Sequence, residues 1–124
     1  MLLRIAFASA AILFATGAMA AGTGDAAAGK EVFARTCQNC HSTDIGVNKI
    51  GPSLWNVVGR KAASVPDYNY SDAMKAEKIT WTPAALETYL ADPRGDKHGV
   101  KMFFKGLSDA RERANVIAYL QTLK

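Results

Sequence analysis

Two cysteines and a histidine stand together in the run Cys37-Gln38-Asn39-Cys40-His41, and these are the residues best suited to do chemistry. Two thiols three positions apart lie on one turn of chain, from which both can form thioether bonds to the two vinyl groups of a porphyrin. The imidazole that follows can then bind the iron from one side. This five-residue pattern is the attachment signature of c-type haem. The sequence therefore predicts one covalent haem c, held by Cys37, Cys40 and His41.

Three other uses of the cysteines have to be weighed against haem. A disulfide between Cys37 and Cys40 would close a tight, strained loop. A thioredoxin-like redox pair needs a preceding strand and a βαβ context, for which we find no pattern. A zinc ion needs four ligands, and the expected mature chain adds only His98 to the three residues of the motif. Because Cys40 and His41 are sequence neighbours, they suit the usual spacing of zinc ligands poorly. Haem attachment is the favoured interpretation.

The second axial position of the iron decides between electron transfer and ligand binding. A thioether ligand gives a six-coordinate centre with a raised potential, whereas an open position suits a peroxidase or a gas binder. Met102 lies in a loop bracketed by Gly99 and Gly106, and a glycine-bounded loop can bring its backbone close to a flat cofactor. Met102 is the preferred sixth ligand. Met74, which we place in a short helix, His98 and a lysine are the alternatives.

The first twenty residues are typical of a secretory signal peptide. Arg4 precedes an apolar run from Ile5 to Met19, and Ala18-Met19-Ala20 supplies small residues where a signal peptidase cleaves. The alternative is a membrane anchor, but the run is shorter than the roughly 20 residues that span a bilayer comfortably. We expect cleavage after Ala20, a domain over residues 21–124, a periplasmic location and no stable membrane insertion.

The composition suits one small, mildly basic domain. The chain has 124 residues and a formal charge of +4, and loss of Arg4 leaves 14 basic against 11 acidic residues, a charge of +3. The lysines are scattered, unlike the basic stripe of a nucleic-acid binder, so nucleic acid is excluded and acidic protein partners are favoured. A domain this small often needs a staple such as a cofactor. We expect a monomer.

The elements that must position these residues are helices and loops. Asp25 caps a first helix reaching about Thr36, Ser71 caps a short helix, and Thr82-Pro83 begins a helix that ends before Asp92-Pro93. The last helix begins near Ser108-Asp109, where Asp109 and Glu112 have capping-box spacing. Residues 42–69 are rich in turn signals and are expected to pack against the porphyrin. No strand pattern competes, so the predicted fold class is all-α.

Besides the haem signature, the mature chain contains an ordered series of motifs, and these are Gly29–Phe33, Gly51–Leu54, Gly59–Lys61, Tyr68–Ala73, Ile79–Trp81, Leu86–Leu90, Lys101–Gly106 and Ala118–Leu120. In these motifs the chain resembles class I cytochrome c, the group of mitochondrial cytochrome c and its bacterial periplasmic relatives. The resemblance implies the cytochrome c fold, with helices and loops wrapped around one haem.

The resemblance also implies roles for individual residues. Pro52 matches the proline whose carbonyl accepts the proton of the ligand imidazole, and Met102 matches the sixth ligand. Tyr89 matches a tyrosine that hydrogen-bonds the methionine sulfur, and Phe104 matches an aromatic that shields the haem edge. Gly29 and Phe33 match a contact between the first and last helices. The residues that match hydrogen-bond donors to the haem propionates are Arg60, Tyr70 and Trp81.

The function that the resemblance implies is that of a soluble periplasmic single-electron carrier and not an enzyme. Its expected partners are redox proteins with acidic docking faces: a quinol–cytochrome c oxidoreductase, a terminal oxidase or a periplasmic dehydrogenase. Lysines that border the haem edge in the family would steer it to them, and these are Lys30, Lys49, Lys97, Lys101 and Lys105. The loop Pro93–Gly99 lacks the proline usual near Gly99, which predicts a softer loop before Met102.

Overall fold

Helices supply the regular structure of the chain, as the sequence predicts. The computed structural model describes residues 23–97, 99 and 101–124, so the signal peptide predicted at residues 1–20 lies outside the described residues. An isolated antiparallel bridge joins Lys61 to Thr80. The all-α prediction is confirmed. The helices are α1 (Ala26–Thr36), α2 (Asp72–Ala76), α3 (Pro83–Ala91), α4 (Pro93–Asp96) and α5 (Ala110–Leu120).

Each predicted helix begins at its predicted cap. Asp25, Ser71, Thr82 and Asp109 all accept backbone N–H groups that would otherwise lack partners in the first turn. The short α4 was not predicted, because Asp92-Pro93 was interpreted only as an end. Asp92 instead accepts the N–H of Gly95 and starts a new turn, for which proline is well suited at the first position.

The first and last helices cross at a point where α1 carries glycine. A Cβ on Gly29 would lie 1.8 Å from the carbonyl oxygen of Asn115, so a larger residue would push the helices apart. The rings of Phe33 and Tyr119 pack at a centroid distance of 5.4 Å. Glu112 pairs with Arg35 of α1 instead of returning to its own cap, so the predicted capping box is only half formed. The first and last helices are thereby held together.

The core lies among α1, α3, α5 and the loops that join them. The core also includes residues outside the helices. Leu107 lies in the segment before α5, and Val57 and Trp81 lie in the long connection between α1 and α3. No helix among the described residues has the length and apolar character needed to cross a membrane. The buried apolar residues are Val32, Phe33, Val57, Trp81, Leu86, Leu90, Leu107, Val116, Ile117, Leu120 and Leu123.

Candidate haem-binding site

The end of α1 brings the cysteines and His41 onto one turn of chain. Cys37 caps the helix, and its carbonyl accepts the backbone N–H groups of Cys40 at 3.1 Å and His41 at 3.0 Å. Both thiols are free and half-buried. The disulfide alternative is therefore not formed, and the two sulfurs stand where thioether bonds to one porphyrin are feasible.

The environment of Cys37 differs from that of a redox-active thiol. Burial raises the pKa of Cys37 and the neighbouring Cys40 raises it further, while a contact with the hydroxyl of Thr36 at 3.3 Å opposes them. A reactive redox cysteine needs a lowered pKa that favours the thiolate. A helix, and not a strand, precedes the motif. Both observations argue against a thioredoxin-like pair.

His41 is held as a neutral imidazole. Its Nδ1–H donates to the carbonyl oxygen of Pro52 at 2.7 Å, the bond that the resemblance implied. Burial lowers the pKa of His41, the charges of Arg60 and Lys49 lower it further, and the Pro52 bond opposes them. With the proton on Nδ1, the lone pair is on Nε2, which is the arrangement of a metal-ligating histidine oriented by a backbone carbonyl.

Residues 41–54, here called the histidine loop, fold back over the imidazole because position 51 has no side chain. A Cβ on Gly51 would lie 2.3 Å from Cε1 of His41. The N–H of Gly51 donates to Cys40 at 2.8 Å, and its carbonyl accepts from Lys49 at 2.9 Å. The sequence predicts only that Gly51-Pro52 is part of a turn. The structure shows that glycine is also needed for this close approach.

Two polar side chains that the sequence did not single out fix the shape of the histidine loop. Asn48 accepts the N–H of Ser53 at 2.9 Å and donates to the carbonyl of Pro66 at 3.2 Å. The hydroxyl of Ser53, a residue only 2 % exposed, donates to the carbonyl of Asp44 at 2.6 Å. Because Ser53 follows Pro52, this network holds the carbonyl that orients His41. Nothing in the sequence pattern alone separates Asn48 and Ser53 from ordinary turn residues.

Arg60 donates hydrogen bonds to the histidine loop and its neighbour, but one N–H of its guanidinium has no acceptor among the described residues. Its Nη1 donates to the carbonyls of Ser53 at 2.9 Å and Trp55 at 2.8 Å. Its buried Nε finds no partner among the described residues. Burial lowers the pKa of Arg60, and Tyr70 opposes the effect. A buried cationic N–H without an acceptor is costly, and a propionate carboxylate of haem would fit it.

The other two predicted propionate donors occupy different surroundings. The hydroxyl of Tyr70 accepts the N–H of Val65 at 3.1 Å, which leaves its own O–H free to donate. Trp81 is 7 % exposed and packs against Tyr89 at a centroid distance of 5.0 Å.

The hydroxyl of Tyr89 is held in its protonated form. Burial, followed by the charges of Asp96 and Tyr68, raises the pKa of Tyr89 to about 12. Tyr89 therefore keeps its proton at neutral pH and can serve as a donor.

Residues 97–107, here called the methionine loop, carry Met102 between α4 and α5. Met102 is half-buried. At the end of the loop, the N–H of Leu107 donates to the carbonyl oxygen of Leu90 at 2.7 Å. The preceding Gly106 has a φ of +103°, a backbone conformation that favours glycine. The rival Met74 packs against the hydrophobic core from α2. Another rival, His98, lies outside the described residues.

Arg113 of α5 holds the end of the methionine loop, and the sequence analysis did not identify it. Its Nε pairs with Glu87 of α3 at 2.6 Å. Its Nη1 donates to the carbonyls of Leu107 at 2.6 Å and Ser108 at 3.1 Å. One side chain thus joins α3, α5 and the loop. In the sequence, only the neighbouring Glu112 fits a recognisable pattern, the capping box with Asp109.

The aromatic pair and the lysines of this region divide into buried and exposed members. Phe104 is half-buried against the core, whereas Phe103 is 95 % exposed. The side chain of Lys97 is 10 % exposed, and its ammonium pairs with Asp96 at 2.6 Å and Glu77 at 3.9 Å. Lys97 is therefore a largely buried ion-pair partner, unlike the exposed steering lysines with which the sequence grouped it.

The donor set fits haem better than zinc. Among the residues that the structure describes, no three His, Cys, Asp or Glu side chains cluster closely enough to hold a metal ion. The cysteines and His41 lie on one turn, and the unpaired Nε of Arg60 lies near the loop that orients the imidazole. The partly buried apolar residues that pack against the core include Leu54, Trp55, Val58, Ile79 and Tyr89.

Comparison with known proteins supports this fit. The family model described as "Cytochrome c" matches residues 26–124. The chain is 52 % identical over 96 residues to "Cytochrome c-type cyt cy" of Rhodobacter capsulatus, covering 77 % of this chain and 48 % of that protein. It thus spans about half the length of that relative. It is 46 % identical over 96 residues to cytochrome c2 of Rhodopila globiformis, covering 77 % of this chain and 91 % of the relative.

A solved structure shows the same fold. Cytochrome cH from Methylobacterium extorquens superposes with a TM-score of 0.74 at 45 % identity, over 80 % of this chain and 99 % of that one. The fold and site define an all-α haem protein of the electron-carrier class. The chain belongs to the cytochrome c family. Members carry one covalent haem c, and Cys37, Cys40 and His41 supply its attachment motif here.

Proposed function

We propose that this protein is a periplasmic single-electron carrier whose haem iron is bound by His41 and Met102. The observation that carries the proposal is the bond from Nδ1 of His41 to Pro52, made on the same turn as the two free thiols. It leaves Nε2 as the ligand atom and strengthens it as a donor. The thioether of Met102 would hold the iron as the second protein ligand, so that the bound haem would serve electron transfer and not catalysis.

Each remaining residue has a positioning task in this proposal. When bound, the haem supplies a one-electron couple between ferric and ferrous iron. Cys37 and Cys40 tether it, so that an exported carrier does not lose it by dilution. Tyr89 would donate a hydrogen bond to the sulfur of Met102, and Phe104 would cover the haem edge. Arg60, Tyr70 and Trp81 would hold the propionates by hydrogen bonds, which avoids leaving a charge unpaired inside an apolar shell.

The domain organisation follows from the same reading of the sequence. Residues 1–20 serve as a signal peptide that is cleaved after Ala20, and residues 21–124 form the haem domain in the periplasm. The mature protein acts as a monomer. Mass spectrometry of protein purified from the periplasm tests this. We expect a chain that begins at Ala21 with one haem added, and a protein retained in the membrane fraction with Arg4 still present would contradict it.

Partners are redox proteins with acidic docking faces, such as a quinol–cytochrome c oxidoreductase, a terminal oxidase or a periplasmic dehydrogenase. Exposed lysines support the proposal, since they raise the rate of encounter with an acidic surface. They are Lys30, Lys49, Lys101 and Lys105. The rate of reaction with such a partner should fall as salt is added. A rate that does not respond to ionic strength would remove the steering role.

A spectroscopic comparison of two methionine variants tests the ligand assignment. The oxidised protein should show the sulfur-to-iron charge-transfer band, and the reduced protein should not bind carbon monoxide. Met102→Leu should abolish the band and open the iron to carbon monoxide. Met74→Leu is the matched control and should retain both properties of the parent. If Met74→Leu loses the band, or if the parent binds carbon monoxide readily, the proposed ligation is wrong.

A further inference from the structure

Phe103 is the most exposed of the large apolar side chains in the described part of the chain. It is 95 % exposed, whereas the next residue, Phe104, packs against the core. An aromatic ring left in water forgoes stabilisation of about 2 kcal/mol that burial would give. It also stands immediately after Met102, the proposed iron ligand. The exposed ring is therefore placed where an electron-transfer partner has to approach.

The charged groups around Phe103 are arranged so that cations face outward. The guanidinium of Arg94 lies 5.3 Å from the ring centroid. Lys105 is exposed two residues further along the chain. Of the acids around α4, Asp96 pairs with Lys97, whereas Asp92 is exposed and accepts the N–H of Gly95. Arg94 and Lys105 are the two cations that form the positive rim beside the ring.

A lysine of the same loop fixes the position of this surface. Lys101 is exposed, and its Nζ donates to the carbonyl of Asn69 at 3.1 Å. That bond ties the methionine loop to the segment that precedes α2, while two donors of the ammonium stay available. The ring and the cations beside it are thus presented by a tethered loop.

We propose that Phe103 is the apolar anchor of the docking surface, and that it enters an apolar recess rimmed by carboxylates on an acidic redox partner. This inference rests on the proposed function and assigns the contact within it. Aromatic residues, phenylalanine among them, are enriched at the buried centre of protein interfaces. The cations of the rim determine the encounter rate, and the ring determines how long the complex persists.

An acidic protein is favoured over a membrane as the occupant. A lipid surface is bound through an extended apolar face together with basic residues, whereas here a single ring projects from a short loop. The position of the ring beside Met102 matters for electron transfer and has no bearing on lipid binding. Binding to anionic vesicles is therefore an outcome that the experiment must include.

The test is a stopped-flow measurement of the oxidation of the reduced, haem-loaded protein by a purified cytochrome c oxidase, at several ionic strengths. Phe103→Ala should lower the second-order rate about tenfold at every ionic strength, the effect of truncating an aromatic anchor. Phe103→Leu should recover most of the rate. Lys105→Gln should instead flatten the salt dependence. The matched control is Ile45→Ala, which truncates a side chain that is 71 % exposed in the histidine loop and should react at the parent rate.

Several results would overturn the inference. A Phe103→Ala rate within twofold of the parent would do so, as would an equal loss in Ile45→Ala. Loss of the charge-transfer band in Phe103→Ala would mean that the residue acts through Met102 and not through docking. A loss of binding to vesicles of anionic lipid without a change in the oxidase rate would assign the ring to membranes. Failure of the proposed function is distinguishable, because the parent itself would then not reduce the oxidase.

Discussion

The histidine loop and the methionine loop each hold one proposed ligand, yet they are bonded in different ways. The histidine loop has hydrogen bonds within itself, through Ser53 to Asp44, Asn48 to Ser53 and Leu54 to Ser42, besides bonds to residues outside it. In the methionine loop, the hydrogen bonds among the described residues run mainly to other elements, from Leu107 to α3 and from Arg113 of α5.

The difference shows how each ligand is positioned. The orientation of His41 is a local property, because the groups that fix the Pro52 carbonyl lie within a dozen residues of it. Met102 is positioned by the exposed bond from Lys101 to Asn69 and by the stronger anchors at Leu107, and so it depends on how α3 and α5 pack. The histidine side should therefore be the more rigid, and the methionine side should be the first to lose its ligand when the protein is destabilised.

The largest effect is expected from a methyl group at the closest contact of the histidine loop. Gly51→Ala should cost about 3 kcal/mol of stability, since the new Cβ collides with the imidazole. The visible spectrum should change with it. Gly46→Ala is the matched control, because its φ of +70° is strained for alanine but nothing lies within 4 Å. It should cost about 1 kcal/mol and leave the spectrum intact. Denaturant unfolding measures both, and equal losses would refute the contact argument.

The second-largest loss of stability is expected from removing Arg113, the main anchor of the methionine loop. Arg113→Ala removes the Glu87 pair and two bonds to backbone carbonyls, and should cost about 2 kcal/mol. The charge-transfer band should disappear at lower denaturant than the haem–histidine signals do. Arg111→Ala, on the exposed side of the same helix, should change stability by no more than about 0.5 kcal/mol. Simultaneous loss of both signals in Arg113→Ala would show that the two loops are not independent.

A smaller effect is expected inside the histidine loop. Asn48→Ala removes the bonds to Ser53 and Pro66 and should cost about 1.5 kcal/mol. The proton resonances of the His41 ring should shift, since the Pro52 carbonyl is released. Asn69→Ala is the control, because the bond recorded for Asn69 uses its backbone carbonyl. Unchanged His41 resonances in Asn48→Ala would argue that the loop does not orient the ligand.

The smallest effect concerns the exposed tether of the methionine loop. Lys101→Met keeps most of the apolar side chain but loses the bond to Asn69, which should cost about 0.5 kcal/mol. Amide hydrogen exchange in the methionine loop should quicken while exchange in the histidine loop stays the same. Lys75→Met, an exposed change in α2, should affect neither loop. Faster exchange in both loops after Lys101→Met would contradict the separation proposed here.

The sequence was sufficient for features that depend on neighbouring residues. The caps at Asp25, Ser71, Thr82 and Asp109 and the turn at Cys37–His41 are local, so their residue types predict them. The family resemblance added Pro52, whose bond to His41 spans eleven positions and follows from no local pattern.

What the sequence did not predict depends on packing between distant segments. The role of Arg113 requires knowing that α3 and the end of the methionine loop meet beside α5. The pairing of Lys97 with Glu77 joins the residue after α4 to the one after α2, so a lysine expected at the surface is buried. The contrast between Phe103 and Phe104 has the same origin, because only the path of the loop decides which ring turns toward the core.

The crossing of α1 with α5 has a consequence for the way the protein is made. The N–H of Asp25 is bonded to Asn115, ninety positions later, and Gly29 lies against the same residue. During synthesis the opening helix has no counterpart until almost the whole polypeptide has emerged. A nascent chain therefore cannot complete the part of its core between α1 and α5 until its last helix has been synthesised.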